Sequence, residues 1–287
     1  MIKKLLGIAP TVTEDGAYKP SPMALKLATS NTTNYSHTTY QHPYEDKKLK
    51  VLMLCTEEKN LEMANGKKFS TGNHPVEMFL PMLHFQKAGF EIDVYTPTGQ
   101  SVKIETWAMP EKDKQVKNIY SDYKEKFDSP KSLKDFVQDE ILEHEGYIAV
   151  FIPGGHGALL GLPENRDVKA LIEWSNKKDL LMLSICHGPA ALLAANIDED
   201  DDAFIYKGYS IAAFPDAVDE KTPLFGYMPG HLTWKFGEKL KKLGVTIVNK
   251  KADDTCHKDR NLITGASPEA ANDFGELATK ELLKRVE

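Results

Sequence analysis

Short apolar runs punctuate the chain from residue 49 onward. Residues 50–55 (KVLMLC), 91–96 (EIDVYT), 147–153 (YIAVFIP) and 180–185 (LLMLSI) are almost continuously hydrophobic. Runs of this length predict strands buried on both faces of a parallel sheet. Residues 209–214, 245–248 and 262–264 are further strand candidates. Between the runs lie segments of helical period, over 76–88, 168–176, 189–195, 232–243 and 268–285. Strand–helix alternation of this kind implies a doubly wound α/β sandwich, whose ligands bind at the carboxyl ends of the strands.

Two stretches break the pattern. Residues 1–46 read as an N-terminal arm preceding a core at 47–287, with 29–45 (SNTTNYSHTTYQHPYED) an extended arm or loop whose tyrosines are able to dock on a surface. Residues 110–142 are highly charged, with two helical patterns split by Ser129-Pro130, and predict a small helical cap inserted at about 98–142. Most of that charge reads as a solvated face, as does the DEDDD turn at 198–202.

Composition narrows the function classes. A chain of 287 residues buries a core large enough to need no disulfide staple. Its formal net charge of -6 offers no net attraction to nucleic acid or an anionic membrane. No stretch approaches the roughly 20 apolar residues that span a bilayer. Three cysteines without a CxxC pair suit a reducing compartment. A soluble cytoplasmic protein is expected.

The richest segment is 180–195 (LLMLSICHGPAALLAA). A strand runs into Cys186 and a helix of small residues starts at once, with Ser184 and Gly188 leaving room for a sharp strand-to-helix turn. The turn would present the thiol at a helix N-terminus, where backbone N–H groups favour an anion. A thiol with pKa near 8.5 needs about 3 to 4 kcal/mol for full activation, whereas a helix terminus supplies roughly 0.3 to 2. A further donor or cation is therefore required, and His187 and Glu77 are the candidates. Cys55 and Cys256 lack such a setting.

Glu77 sits in TGNHPVE, where Asn73 or His74 can cap a helix and Pro75 falls in its first turn. Val76, Phe79, Leu80 and Leu83 form the apolar face, Gly89 stops the helix, and Pro81 predicts a local kink. Glu77 is either an ordinary first-turn carboxylate or a partner of Cys186, titrating with it as a coupled pair. Gly154 and Gly155 in FIPGGHG suit an oxyanion hole, or form a plain turn; no Gly-Lys-Ser/Thr follows as in a phosphate loop. Asp216 in AAFPDAVD would either orient His187, completing a Cys-His-Asp set, or serve as a turn residue.

Together SICHGPAALLA, FIPGGHGALLGLPE, FSTGNHPVE, AFPDAVDE and GYMPGHLTW resemble the PfpI-like superfamily, specifically its HchA branch of bacterial heat-shock chaperones and glyoxalase III enzymes. The similarity extends through TEDGAYKPSP and HKDRNLITGASPEAAN. It implies a flavodoxin-like core with a small cap, and a homodimer. It also implies a nucleophile role for Cys186, proton handling by Glu77, and triad roles for His187 and Asp216. The implied activities are glutathione-independent conversion of methylglyoxal to lactate, deglycation of proteins and nucleotides, and holding of unfolded clients. Family members carry a two-histidine, one-carboxylate metal site; here only Glu91 is retained, with Gln86 and Tyr123 at the histidine positions. An amide and a phenol are poor zinc donors, so no metal is expected there and no cofactor is required.

The expected chemistry is addition of Cys186 to a 2-oxoaldehyde and an internal redox shift through an enediol. A chaperone with vestigial chemistry, and a cysteine amidase or peptidase, are the alternatives. A class I amidotransferase fits poorly, because the late His257 is followed by Lys258 and Asp259. A redox-sensing thiol is a further alternative.

Overall fold

The computed structural model describes residues 7–139 and 145–287. A seven-stranded sheet forms its centre: β1 (Lys50–Leu54), β2 (Glu91–Thr96), β3 (Lys131–Ser132), β4 (Tyr147–Ile152), β5 (Leu181–Ile185), β6 (Cys256–Asp259) and β7 (Leu262–Gly265). The order across the sheet is β6-β7-β5-β4-β1-β2-β3, and only the β6–β7 pairing is antiparallel. The four strongest apolar runs occupy the middle, where both faces are covered. This is the doubly wound α/β architecture expected from the alternation.

The main helices are α1 (Pro22–Ala28), α2 (Pro75–Lys87), α3 (Lys114–Asp122), α4 (Arg166–Lys177), α5 (Phe236–Lys242) and α6 (Ala271–Lys284). One apolar core, containing Leu52, Val150, Leu171 and Trp174, lies on one face of the sheet. The other, with Met53, Phe79, Phe151 and Phe274, lies beneath α2 and α6. Helix α2 continues through Pro81. Residues 189–195 are a 3-10 rather than an α-helix, within Gly188–Asn196. Leu232 is extended, bridging Met63, so the following helix starts only at Phe236.

Residues 209–214 and 245–248 do not join the large sheet. They pair only briefly with each other, Ser210–Ile211 against Thr246–Ile247. The next backbone N–H groups go to side chains instead, Ala212 to Thr264 Oγ1 and Ala213 to Asn249 Oδ1. Two strands of the large sheet arise where periodicity is silent. One is β3, two residues inside the charged insertion; the other is β6, the antiparallel edge.

The rest of the insertion packs against the sheet layers. Val116, Ile119 and Phe127 join the core under α2, and Leu133 and Phe136 join the opposite one. Residues 140–142 of the expected cap lie outside the described residues, as do residues 1–6 of the arm. The 29–45 arm is docked. Tyr40 hydroxyl meets His84 Nδ1 at 2.9 Å, Tyr44 stacks on Phe90, and the Ser36 N–H donates to Asn272 Oδ1. Among the described residues no helix is long and apolar enough to cross a membrane.

Candidate active site

The carboxyl ends of β5 and β4 converge with the start of α2. At the end of β5 the backbone turns through Cys186 at φ 61°, a left-handed conformation that a non-glycine residue adopts only where its surroundings enforce it. They do so here: the Cys186 N–H donates to the Gly265 carbonyl (2.8 Å), and its own carbonyl accepts from Phe214 N–H (2.9 Å). A Cβ on Gly188 would lie 2.5 Å from Ser184 Oγ and 2.6 Å from the Ile152 carbonyl, so only glycine fits directly after the turn.

The elbow is as expected, but its electrostatics differ. The Cys186 N–H is spent on β7, and the helix that follows is 3-10, so little N-terminal dipole reaches the sulfur. Burial pushes the thiol well above the ordinary cysteine range, and charge on Glu77 pushes it further; the Gly155 N–H opposes both only in part. The resting group is a protonated thiol, not the thiolate that the turn alone suggests.

His187 Nδ1 lies 3.3 Å from Cys186 Sγ, and its Nε2 lies 2.8 Å from Asp219 Oδ2. The other Asp219 oxygen is 3.0 Å from His156 Nε2, and the two imidazoles approach to 4.0 Å between centroids. Against the upward push of burial, His187 and His156 hold the Asp219 carboxyl far below its usual range, so it is ionised. Both Nε2 atoms are then donors, which leaves His187 Nδ1 as the acceptor for the thiol proton. Burial and the neighbouring His156 lower the His187 pKa and keep its ring neutral.

The carboxylate against His187 is thus Asp219, and Asp216 must be reassigned. Its two oxygens accept the backbone N–H groups of Gly237 (3.1 Å) and Glu238 (2.8 Å) at the start of α5. Both acids belong to one short helix, Asp216–Asp219: Asp216 at its start meets α5, and Asp219 at its end meets the histidines. The sequence reading singled out Asp216 alone; the packing of that turn gives the role to Asp219.

Glu77, in the first turn of α2, faces the sulfur across Gly154. A Cβ on Gly154 would collide with Glu77 Oε2 and lie 2.7 Å from Cys186 Cβ. The Gly154 carbonyl accepts from His74 N–H (2.9 Å), fastening this glycine turn to the start of α2. Neither Glu77 oxygen has a conventional hydrogen-bond partner, and His74 Nδ1 stands 4.0 Å away. Burial raises the Glu77 pKa well above the carboxylate range, while the nearby Cys186 thiol and Gly155 N–H offset this in part. His74 is the N-cap by position without a side-chain bond, and Asn73 instead ties Thr56 and Lys103 together.

A cavity of about 420 Å³ opens over these groups. Leu27, Phe214, Val218, Phe225 and Pro268 supply apolar walls. His156 and a second acid, Glu105, also line it; the sequence reading assigned a part to neither. His156 lay in a glycine motif already singled out, whereas nothing around Glu105 marks it.

The family's metal positions do not form a metal site. Gln86 Nε2 donates to the Tyr123 hydroxyl (3.2 Å), Glu91 pairs with Lys50 (3.3 Å), and Lys126 Nζ stands 4.9 Å from the Tyr123 ring centroid. One carboxylate already paired with an ammonium group, beside an amide and a phenol, is not a donor set for zinc. The ligand atoms of His156, His187 and Asp219 do fall within 4.8 Å of one another, but each Asp219 oxygen already accepts an imidazole N–H.

Comparison with known proteins agrees with this architecture. The DJ-1/PfpI family model matches residues 69–209, which carry the glycine turn, the elbow and Glu77. The protein/nucleic acid deglycase HchA of Pseudomonas aeruginosa is 48% identical over 276 residues, covering 96% of this chain and 94% of the relative. Protein/nucleic acid deglycase 1 of Escherichia coli K12 is also 48% identical, over 95% of this chain and 94% of its own. Among solved structures, glyoxalase III of Candida albicans superposes with a TM-score of 0.61 at 23% identity, over 81% of this chain and 98% of that one, a likeness of fold. Agreement with the two deglycases over almost their full length, together with the matched core, shows that the chain belongs to the DJ-1/PfpI family.

Proposed function

We propose that this protein is a cofactor-independent deglycase and glyoxalase, with Cys186 as nucleophile. The observation that carries the reading is the thiol on a strained elbow, with an imidazole acceptor at 3.3 Å and a buried carboxyl facing it across Gly154. The deglycase relatives at 48% identity support it independently.

In the reaction, His187 Nδ1 takes the Cys186 proton as sulfur bonds to the aldehyde carbon C1 of a 2-oxoaldehyde. Asp219 stabilises the imidazolium that forms. The former carbonyl oxygen takes a proton from Glu77, beside the N–H groups of the Gly154–Gly155 turn, which completes a hemithioacetal. Glu77, now ionised next to an imidazolium, removes the C1 proton and returns it to C2, while one proton reaches O2 and one leaves O1. The lactoyl thioester that results is hydrolysed: water adds to C1, its spare proton goes to Glu77, and the departing sulfur regains the proton held by His187. Oxidation at C1 balances reduction at C2, so no external redox partner is needed.

With an early glycation adduct the first bond change differs. Sulfur displaces the amine from the carbinol carbon, His187 takes the thiol proton, the amine leaves with the Glu77 proton, and the same hemithioacetal follows with Glu77 ionised. Lactate formation from methylglyoxal, and amine or thiol release from a methylglyoxal-treated lysine or cysteine derivative, test both substrates. A Cys186→Ala protein that turns over either one at the native rate would refute the nucleophile.

Holding of unfolded clients has a separate observation behind it. Met23, Leu27, Leu224 and Phe225 are at least half exposed, and Leu27 and Phe225 border the cavity. This apolar rim, rather than the docked arm at 29–45, would receive an extended apolar segment. Suppression of client aggregation that survives Cys186→Ala but falls in Leu27→Ser with Phe225→Ser would locate it. The homodimer is likewise a proposal, which light scattering on the eluted protein reads directly.

A further inference from the structure

The cavity contains a carboxyl group that the reaction above leaves unused. Glu105 opens the 3-10 turn Thr106–Ala108, and its backbone N–H donates to the Asn73 carbonyl (3.0 Å). Asn73 in turn grips the carbonyls of Thr56 and Lys103. The turn is therefore fastened to the loop that leads into α2. The Glu105 side chain is 1% exposed. Its Oε1 accepts the Thr71 hydroxyl at 2.6 Å, whereas Oε2 is buried without a hydrogen-bond partner and the residue lines the cavity with Glu77, His156 and Cys186.

A buried carboxyl with one satisfied and one orphaned oxygen is costly to keep. An apolar residue of similar volume would serve packing better. Burial raises its pKa to about 7, so near neutrality a large fraction of it carries a proton. A group poised near the working pH is suited both to give a proton and to take one back.

The enediol route has a matching gap. When Glu77 removes the C1 proton, the electron pair forms a C1=C2 bond and the ketone π pair moves onto O2. An unprotonated O2 in an apolar cavity would be a bare enolate. When Glu77 later returns its proton to C2, the hydroxyl on C1 must lose one for the thioester carbonyl to form. One proton is needed at O2 and one must leave O1, and these oxygens are neighbours in a cis-enediol.

We propose that Glu105 is a catalytic acid–base residue serving the two substrate oxygens, its Oε2 proton passing to O2 as the enediol forms and the O1 proton returning to it as the enediol collapses. The proposal rests on the glyoxalase reading. Atoms balance without any further reagent: Glu77 shuttles the carbon-bound proton, Glu105 exchanges one oxygen-bound proton for another, and both carboxyl groups end each isomerisation as they began. It also specifies a substrate class. A substrate needs a second carbonyl adjacent to the aldehyde, so a 2-oxoaldehyde is processed, whereas a simple aldehyde adds to the thiol and goes no further.

Glu105→Gln tests this, because it keeps the volume and an acceptor for Thr71 but transfers no proton. Lactate formation from methylglyoxal and the mass of the quenched intact protein are measured together. The variant is expected to lose about 100-fold in kcat, within the usual range for a positioned acid–base group. It should also accumulate Cys186 bearing one substrate equivalent, because addition to sulfur does not involve Glu105. Native turnover in Glu105→Gln would overturn the role, as would slow turnover with no adduct, which would mark a loss of cavity shape. Should that variant not fold, Glu105→Asp is measured in the same way: slowed turnover with adduct supports the role, and slowed turnover without it overturns it. A native protein that makes no lactate would remove the glyoxalase reading itself, an outcome visible before any variant is made.

Discussion

Replacing Asp219 by Asn, with Asp216→Asn as its counterpart, separates two acids that stand three residues apart. Asp219 accepts an N–H from each of two imidazoles, at 2.8 and 3.0 Å, and is essentially fully buried. The amide removes the negative charge that stabilises the His187 imidazolium. A hydrogen bond to a charged group contributes about 1.5 to 3 kcal/mol, so this loss alone slows turnover by roughly 10- to 150-fold. The amide nitrogen also donates. If it meets His187 Nε2, that ring must carry its proton on Nδ1 and can no longer accept from the thiol, and a misdirected tautomer of this kind costs up to about 10⁴-fold in a triad. The expected loss in kcat/KM for methylglyoxal is therefore between about 100- and 10⁴-fold. In Asp216→Asn the change falls on the start of α5, where two backbone N–H groups lose a charged acceptor. Loss of that negative charge at a helix start costs up to about 1 kcal/mol of stability and leaves kcat/KM within about threefold. Steady-state lactate assays with parallel melting curves read both. Activity in Asp219→Asn within fivefold of native, or a greater loss in Asp216→Asn, would show that the orienting carboxylate has been wrongly placed.

Three further outcomes follow from the site. Because burial and Glu77 hold the Cys186 thiol protonated, iodoacetamide labelling of Cys186 should keep rising through pH 8.5; a plateau below pH 6 would indicate a resting thiolate and contradict this electrostatic account. The raised Glu77 pKa means that the folded state binds its proton more tightly than the unfolded one. Stability from this group is therefore complete below about pH 4.3 and falls as pH rises above it, at up to about 1.4 kcal/mol per pH unit. Glu77→Gln should accordingly melt higher than the native protein at pH 8, with a smaller advantage at pH 4.5, while losing at least 100-fold in turnover; an advantage that grows toward low pH would reverse the assigned sign. The protein dialysed against zinc should retain none at Glu91, whereas Gln86→His with Tyr123→His should gain it. Stoichiometric zinc in the native chain that disappears in Glu91→Gln, measured by elemental analysis, would show the donor argument to be wrong.

Much of this molecule is written in short-range pattern. Residues 50–55, 91–96, 147–153 and 180–185 declare themselves as buried strands because a strand covered on both faces must be apolar at every position, and that requirement acts locally. Cys186 between Ser184 and Gly188 marks an elbow for a similar reason, since small flanking residues are needed wherever the chain bends so tightly. Glu77 and the glycines of FIPGGHG were visible as candidates, but their common focus was not. What the chain alone left open was decided by contacts between residues far apart in sequence. Residues 209–214 stay outside the large sheet, the N–H groups of Ala212 and Ala213 going to Thr264 and Asn249. Of two acids in DAVD, the histidines met the one that the turn aimed inward. Glu105 became notable only when folding buried it in the cavity that Cys186 also lines. Even the charge on the sulfur reversed expectation: a helix end is a local feature, whereas desolvation depends on everything packed around the atom, and in this cavity the larger effect belongs to the surroundings.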